Sequence, residues 1–432
     1  MKAPIRICVL GNFSGRNAGD IAILAGLIHE VEARFDRPRF LVPTLNPGFV
    51  DKHLNQHHNV EAISLMPWAL SAKIFGLPVL RAVLGADVVL ITDNILFDRR
   101  LWNPLYNYLA TLSLVLPIAA RRGVPVVLYN ASLGPISTRS GRWCLHRLMQ
   151  VCELVILRDR PSQQLLERLD IPHAPPHFAA DCALSTTPAS DAEIDRIARA
   201  EGLFQREAGG GTIAFNVNTY LDVFLDRRGR HRDVGPLLDE LARAIDRVID
   251  ALDVDVLFTV TQVMDLKVAR PLMQRVTRQD RVKLIDNRTY RYDQIAGLLA
   301  RCELLVGMRT HALILAASVG TPVLGIVSYP KTTGFMQSIE QGHRLIGFDG
   351  LNEEALVRQM LDTYHHRHAT RRALQPIIVR EKARAAHGAE LLHQCLVGRL
   401  AASNPPADQP APSAPMPRNP HHESSPRPTP DA

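Results

Sequence analysis

Short apolar runs alternating with helix-length stretches predict an α/β protein made of two Rossmann-like domains. Two observations support the division: the alternation stops at Thr186-Thr187-Pro188 and restarts at Thr212, and 432 residues suffice for two cores of ordinary size. The expected order is an N-terminal Rossmann-like domain over residues 1–188, a linker over 189–211 and a second Rossmann-like domain over 212–350. C-terminal helices over 351–400 and a disordered tail over 401–432 follow.

In the first half, strands are expected at Ile5–Leu10, Arg39–Val42, Val88–Thr92, Val124–Tyr129 and Leu154–Leu157, because each is a short apolar run between polar stretches. Helices are expected at Ile21–Arg34, Leu105–Arg121, Ser140–Cys152 and Ser162–Leu169. Ser190-Asp191-Ala192-Glu193 has capping-box spacing and opens a short helix, and Gly209-Gly210-Gly211 is read as a flexible joint. The second half repeats the pattern. Its strands are Thr212–Val217, Val254–Val260, Val282–Ile285, Cys302–Val306 and Val323–Val327, and its helices Pro236–Leu252, Lys267–Gln279 and Tyr292–Ala300. Residues Glu353 to Val397 read as Arg-rich helix. From Ser403 the chain is rich in Pro, Ala and Ser and buries nothing.

A hydrophobic content of 46% with 22% charged residues is a globular composition. The net charge is +7, carried mostly by arginine, which suits phosphate and carboxylate. No basic stripe with interleaved aromatics and no zinc-finger spacing is present, so nucleic acid is not an expected partner. Six scattered cysteines without a C-x-x-C pair read as buried thiols in a reducing compartment, and no metal cluster is visible. The start of the chain passes directly into a strand pattern without the features of a signal peptide, and the longest apolar run is too short to span a bilayer. The expected location is the cytoplasm. Arg121 and Arg122 after that run leave peripheral contact with the inner face of the membrane open.

Chemistry concentrates at expected strand ends, where open α/β sheets bind ligands. Gly307-Met308-Arg309-Thr310-His311 delivers an arginine and a histidine to the mouth of an apolar helix. Ser328-Tyr329-Pro330-Lys331 delivers a lysine after the next strand, to an anion or simply to the surface. Arg158 ends another strand and either faces the crevice or pairs with Asp159 or Asp181. Asp181 in turn either orients a hydroxyl or fixes an arginine. Between the first strand and first helix, the Gly11–Asp20 loop carries Asn17, Gly19 and Asp20; it lacks the ending of a P-loop and the spacing of a dinucleotide fingerprint. Asp222, Asp226 and the run Arg227–Arg232 form a polar loop that either faces an acceptor or is merely solvated.

These residues resemble the polysaccharide pyruvyl transferase family. The resemblance rests on the Gly11–Asp20 loop running into Ile21-Ala22-Ile23-Leu24, on Arg158-Asp159-x-x-Ser162 and on Asp181-Cys182-Ala183. It continues through Gly307-Met308-Arg309-Thr310-His311-Ala312, Gly320-Thr321-Pro322 and Tyr329-Pro330-Lys331 with Gly334-Phe335-Met336, in family order over residues 5–345. Cys182 stands where the family more often has proline, and Val260–Asp265 matches only loosely, which gives Asp265 little weight.

The resemblance implies a GT-B-like pair of Rossmann domains with the site between them. It also implies transfer of pyruvate from phosphoenolpyruvate to two hydroxyls of one sugar, giving a cyclic ketal on a polysaccharide or its lipid-linked precursor. Phosphoenolpyruvate is then the donor substrate, and no cofactor is expected. Arg309, Arg158 and Lys331 are the expected donor-binding cations, and His311 the acid/base group. Asp20, Gly19, Asn17 and Asp181 are the loop or acceptor residues. The competing readings are a nucleotide-sugar glycosyltransferase of the same fold and a catalytically inactive glycan-binding scaffold.

Overall fold

The computed structural model describes residues 4–54, 57, 59–64, 76–103, 107–206, 209–221, 233–327 and 330–403. Arg227–Arg232 with Asp222 and Asp226, Ser328, Tyr329 and the tail from residue 404 lie outside the described residues. The chain divides into one unit up to His393 and a second from Gln394. Two parallel sheets make up the first unit. One has seven strands, β1 (Arg6–Leu10), β2 (Arg39–Thr44), β3 (Val60–Ser64), β4 (Val88–Ile91), β5 (Val126–Ala131), β6 (Cys152–Leu157) and β7 (Pro176–Phe178), in the order β3-β2-β1-β4-β5-β6-β7. The other has six, β8 (Thr212–Asn216), β9 (Asp255–Val260), β10 (Val282–Asp286), β11 (Leu304–Gly307), β12 (Val323–Val327) and β13 (Leu345–Gly347), in the order β10-β9-β8-β11-β12-β13.

Strand order reverses between β1 and β4 in the first sheet and between β8 and β11 in the second. Leu10 pairs with Ile91 at one reversal and Gly307 with Asn216 at the other. A crevice opens at the carboxyl ends of such strands because the helices after them leave in opposite directions. The helices around these sheets include α1 (Ala18–Glu32), α2 (Leu109–Arg121), α3 (Arg139–Met149), α4 (Thr310–Ser318) and α5 (Pro330–Ser338).

The sequence of α1 is apolar all round, and so is its environment: 13 of its residues, from Ala18 to Val31, are buried. It is sandwiched by the turn at Cys182–Ser185, helix Tyr292–Ala300 and α4. Gly26 permits this packing, since a β-carbon there would lie 1.9 Å from the Cys182 carbonyl oxygen. Hydrogen bonds fasten the glycine loop to the second sheet: Ala18 N–H donates to Thr261 O (2.8 Å), Gln262 Nε2 to Gly15 O (3.0 Å) and Asn287 Nδ2 to Arg16 O (2.8 Å).

Several boundaries differ from expectation for local reasons. Helix α1 begins at Ala18 because the Asn17 side chain caps it through Gly19 N–H. The helix expected to reach Gln279 stops at Arg275, where Gln279 Nε2 folds back onto the Met273 carbonyl (2.8 Å). Ser190 precedes helix Asp191–Glu201, yet no capping box forms. Glu193 instead accepts from Gln294 and Arg291. Gly209–Gly211 is a packed turn: a β-carbon on Gly210 would lie 2.2 Å from Leu252 O, and Tyr364 donates its hydroxyl proton to Gly210 O. The edge strands β3, β7 and β13 and helix α5 were not foreseen, because short polar-containing edges such as Pro176-His177-Phe178 carry no alternation to read.

Candidate active site

Helices α1 and α4 begin at the two strand-order reversals, and α5, which follows β12, begins beside α4. Gly19 and His311 are where α1 and α4 touch: a β-carbon on Gly19 would lie 2.2 Å from the His311 Cβ. Thr310 and Thr332 join α4 to α5 through their hydroxyls at 2.7 Å. First-turn N–H groups and helix dipoles therefore all favour negative charge at this point.

His311 sits between two carboxylates, with Nδ1 3.7 Å from Asp20 Oδ1 and Nε2 3.8 Å from Asp181 Oδ2. Both distances exceed a direct hydrogen bond. Burial lowers the His311 pKa below that of free histidine, although Asp181 and Asp93 oppose the shift. Neutral imidazole is thus the resting form.

The flanking carboxyls are driven apart. Burial, reinforced by Asp93, raises Asp20 well above the usual carboxylate range. Asn12 and Asn17 donate amide hydrogens to its two oxygens at 3.1 and 2.7 Å. Burial works against the charge of Asp181 as well, but Arg158 and His311 beside it hold its carboxyl below the usual range. Its other oxygen accepts from Ala183 N–H at 2.9 Å, capping the turn at Cys182–Ser185.

The three expected cations are brought to one crevice in different states. Arg158 is buried: it donates to Asp181 and, at 3.2 Å, to Asp93, while Nε reaches Ser132 Oγ at 2.7 Å. Arg309 forms a bidentate pair with buried Asp265 and lies 5.6 Å from the Tyr220 ring. Lys331, in the first turn of α5, makes no hydrogen bond or ion pair among the described residues. It lies within electrostatic reach of Asp20, Asp181 and His311. Burial and the neighbouring Arg158 bring its ammonium down to about 8.

Asp265, given little weight in the sequence, proves to be the anchor of Arg309. Asp93 was missed altogether. It lies just beyond β4 at the reversal with φ of +63°, in the left-handed region that non-glycine residues seldom occupy. A polar residue soon after the apolar strand Val88–Ile91 was the available signal. Asn216 was missed too: its side chain accepts from Arg309 N–H at 3.0 Å and donates to Thr259 O at 2.8 Å, tying the end of β8 to β9 and to the turn after β11. Among the described residues, no group of three or more His, Cys, Asp or Glu is arranged to hold a metal ion.

A profile of the polysaccharide pyruvyl transferases matches residues 17–329, a span that includes α1, the strand-order reversal between β8 and β11, and His311. The chain belongs to the polysaccharide pyruvyl transferase family. It is therefore a transferase, and its architecture is GT-B-like. The fold of this pyruvyl transferase resembles the UDP-GlcNAc 2-epimerase of Neisseria meningitidis bound to UDP-GlcNAc (TM-score 0.61, 11% identity, covering 91% of this chain and 99% of that one). It also resembles Anabaena Alr3699/HepE in complex with UDP-glucose (TM-score 0.57, 17% identity, 92% and 100%). At such identities the likeness concerns the fold alone. Among the described residues of the transferase, no helix is long and apolar enough to cross a membrane.

Proposed function

We propose that this transferase moves pyruvate from phosphoenolpyruvate to two hydroxyls of a sugar, forming a cyclic ketal on an envelope or exopolysaccharide glycan or on its lipid-linked precursor. It would act in the cytoplasm, at the inner face of the membrane when the acceptor is lipid-linked. The observation that carries this reading is a half-buried Lys331, without a hydrogen bond or ion pair among the described residues, set among helix amino ends beside a neutral His311. A donor that combines phosphate and carboxylate suits such a place, because fixed dipoles and the Lys331 ammonium stabilise its charge without reorganisation.

In this reading, Lys331 and the helix amino ends take the donor's anionic groups. Arg309 is aimed by Asp265, and Arg158 chiefly positions Asp181 and Asp93. A proton reaches the donor methylene carbon, and Asp20, whose carboxyl burial pushes well above the usual carboxylate range, is the group assigned to supply it. His311 accepts the proton of the first attacking hydroxyl as its oxygen bonds to the central carbon. The bond to phosphate then breaks, phosphate leaves with the electron pair, and the second hydroxyl closes the ring and releases its proton. Asp181 remains ionised and steadies the imidazolium.

Calorimetric titration tests this without knowledge of the acceptor. Saturable binding of phosphoenolpyruvate that is lost in Lys331→Ala, with no binding of UDP- or GDP-sugars, is expected. Binding of a nucleotide sugar but not of phosphoenolpyruvate would overturn the donor assignment in favour of glycosyl transfer. Donor binding with no turnover on any glycan would favour an inactive scaffold.

A further inference from the structure

Among the described residues, six large hydrophobic side chains are exposed, and four of them lie between residues 102 and 143. They are Trp102 (71% exposed), Leu114 (54%), Trp143 (51%) and Ile118 (40%). Leu114 and Ile118 are one turn apart on α2, so they share a face. Their helix packs on α3 through one core, and Arg147 of α3 reaches across to donate to Ser113 O at 2.9 Å. The guanidinium of Arg147 also lies 5.5 Å from the Trp143 ring, which ties that tryptophan to the same surface. Trp102 precedes α2, and Asn107 binds the 97–99 backbone to the start of that helix.

Charge on this segment is one-sided. No Asp or Glu occurs between Asp98 and Glu153, whereas arginines occur at 99, 100, 121, 122, 139, 142 and 147. All of these except Arg147 are exposed. Exposed aliphatic and indole groups rimmed by cations of one sign match a bilayer with anionic headgroups: arginine meets phosphate, and the apolar groups enter the acyl boundary. A polysaccharide would use the rings and the charge but would have no use for Leu114 and Ile118.

We propose that the α2–α3 face docks on an anionic lipid surface. Helix α2 follows β4 and so begins at the strand edge that carries the candidate site. Trp102 lies at that end, and docking would set the crevice beside the bilayer, within reach of a lipid-linked glycan. The acceptor part of this inference rests on the proposed function, whereas the docking itself does not.

Vesicle co-sedimentation of the full chain tests it, with phosphatidylcholine vesicles compared to mixtures containing phosphatidylglycerol. Binding is expected only to the anionic mixture and should fall with added salt. Leu114→Ser with Ile118→Ser, and separately Arg121→Glu with Arg122→Glu, should each lower partition by about tenfold or more. Melting temperature and phosphoenolpyruvate titration should stay as in wild type, which separates failure of the surface from failure of the donor reading. Equal binding to neutral vesicles, no binding to either, or unchanged binding by both variants would overturn the proposal. Concentration-dependent self-association, or binding to an acidic polysaccharide, that is lost in the same variants without any vesicle binding would reassign the face.

Discussion

Arg309 and Asp265 form a two-pronged pair, Nε to Oδ2 at 2.9 Å and Nη2 to Oδ1 at 2.6 Å, with the Asp265 side chain fully buried. The carboxylate comes from the turn after β9 and the guanidinium from the turn after β11, so the pair spans β8, the strand between them. It fixes the approach to α4 immediately before His311.

Asp265→Asn keeps the shape but removes the charge and one acceptor. Donor affinity should fall by about tenfold because a planar fork loses its alignment, and unfolding should become easier by up to about 3 kcal/mol as a guanidinium is left poorly paired. Calorimetry and thermal melts measure both. Wild-type donor affinity in the variant would reduce the pair to a purely structural role.

His311→Gln should leave phosphoenolpyruvate affinity within about twofold and lower turnover by about 10²–10⁴-fold, the range ordinarily contributed by a positioned acid/base group. Steady-state kinetics on an accepted glycan provide the measurement. Normal turnover would remove His311 from the mechanism.

If Lys331 holds the donor as proposed, it does so only while charged. Its pKa is lowered to about 8, so donor affinity should hold below that value and weaken as pH rises through it, approaching tenfold per pH unit where binding requires the ammonium. Lys331→Met should bind weakly at all pH values and show no such break. Titrations at pH 7 and above, on both proteins, decide it.

Gly19→Ala places a β-carbon against the His311 Cβ, a contact that no side-chain rotation relieves. A cost of about 1–3 kcal/mol and a fall in turnover are expected. His311→Gly removes that β-carbon, so the double variant Gly19→Ala/His311→Gly should lose less stability than the two single changes added together, and the non-additivity read from a double-mutant cycle reports the contact.

Glu30 is buried on α1 and accepts from Ser185 Oγ (2.7 Å), Tyr129 (3.1 Å) and Cys182. Burial raises its pKa to about 7 against these donors. The folded chain therefore holds a proton between roughly pH 4.5 and 7 that the unfolded chain has lost, so stability falls as pH rises across that window, by at most about 3 kcal/mol. Denaturation of Glu30→Gln should show a flatter dependence between pH 5 and 7; an unchanged slope would count against Glu30 as its source.

Much of this protein was legible from its residues. Apolar runs followed by polar strand ends placed β1, β8, β11 and β12 and pointed to Arg309, His311 and Lys331, because side-chain periodicity and strand-end chemistry are local properties. Edge strands such as β7 and the amide caps that shift helix starts were less legible, since neighbouring strands and side-chain acceptors define them.

Pairing was not local at all. The sequence alone determined that arginines 158 and 309, His311 and Lys331 arrive at strand ends of two α/β halves. Only the tertiary structure decided that Arg158 is held by Asp181 and Asp93, that Arg309 is held by Asp265, and that Lys331 is left without a partner among the described residues. The reason is physical: charge state and availability depend on burial and on carboxylates tens of residues away, and these meet only when both sheets close on α1.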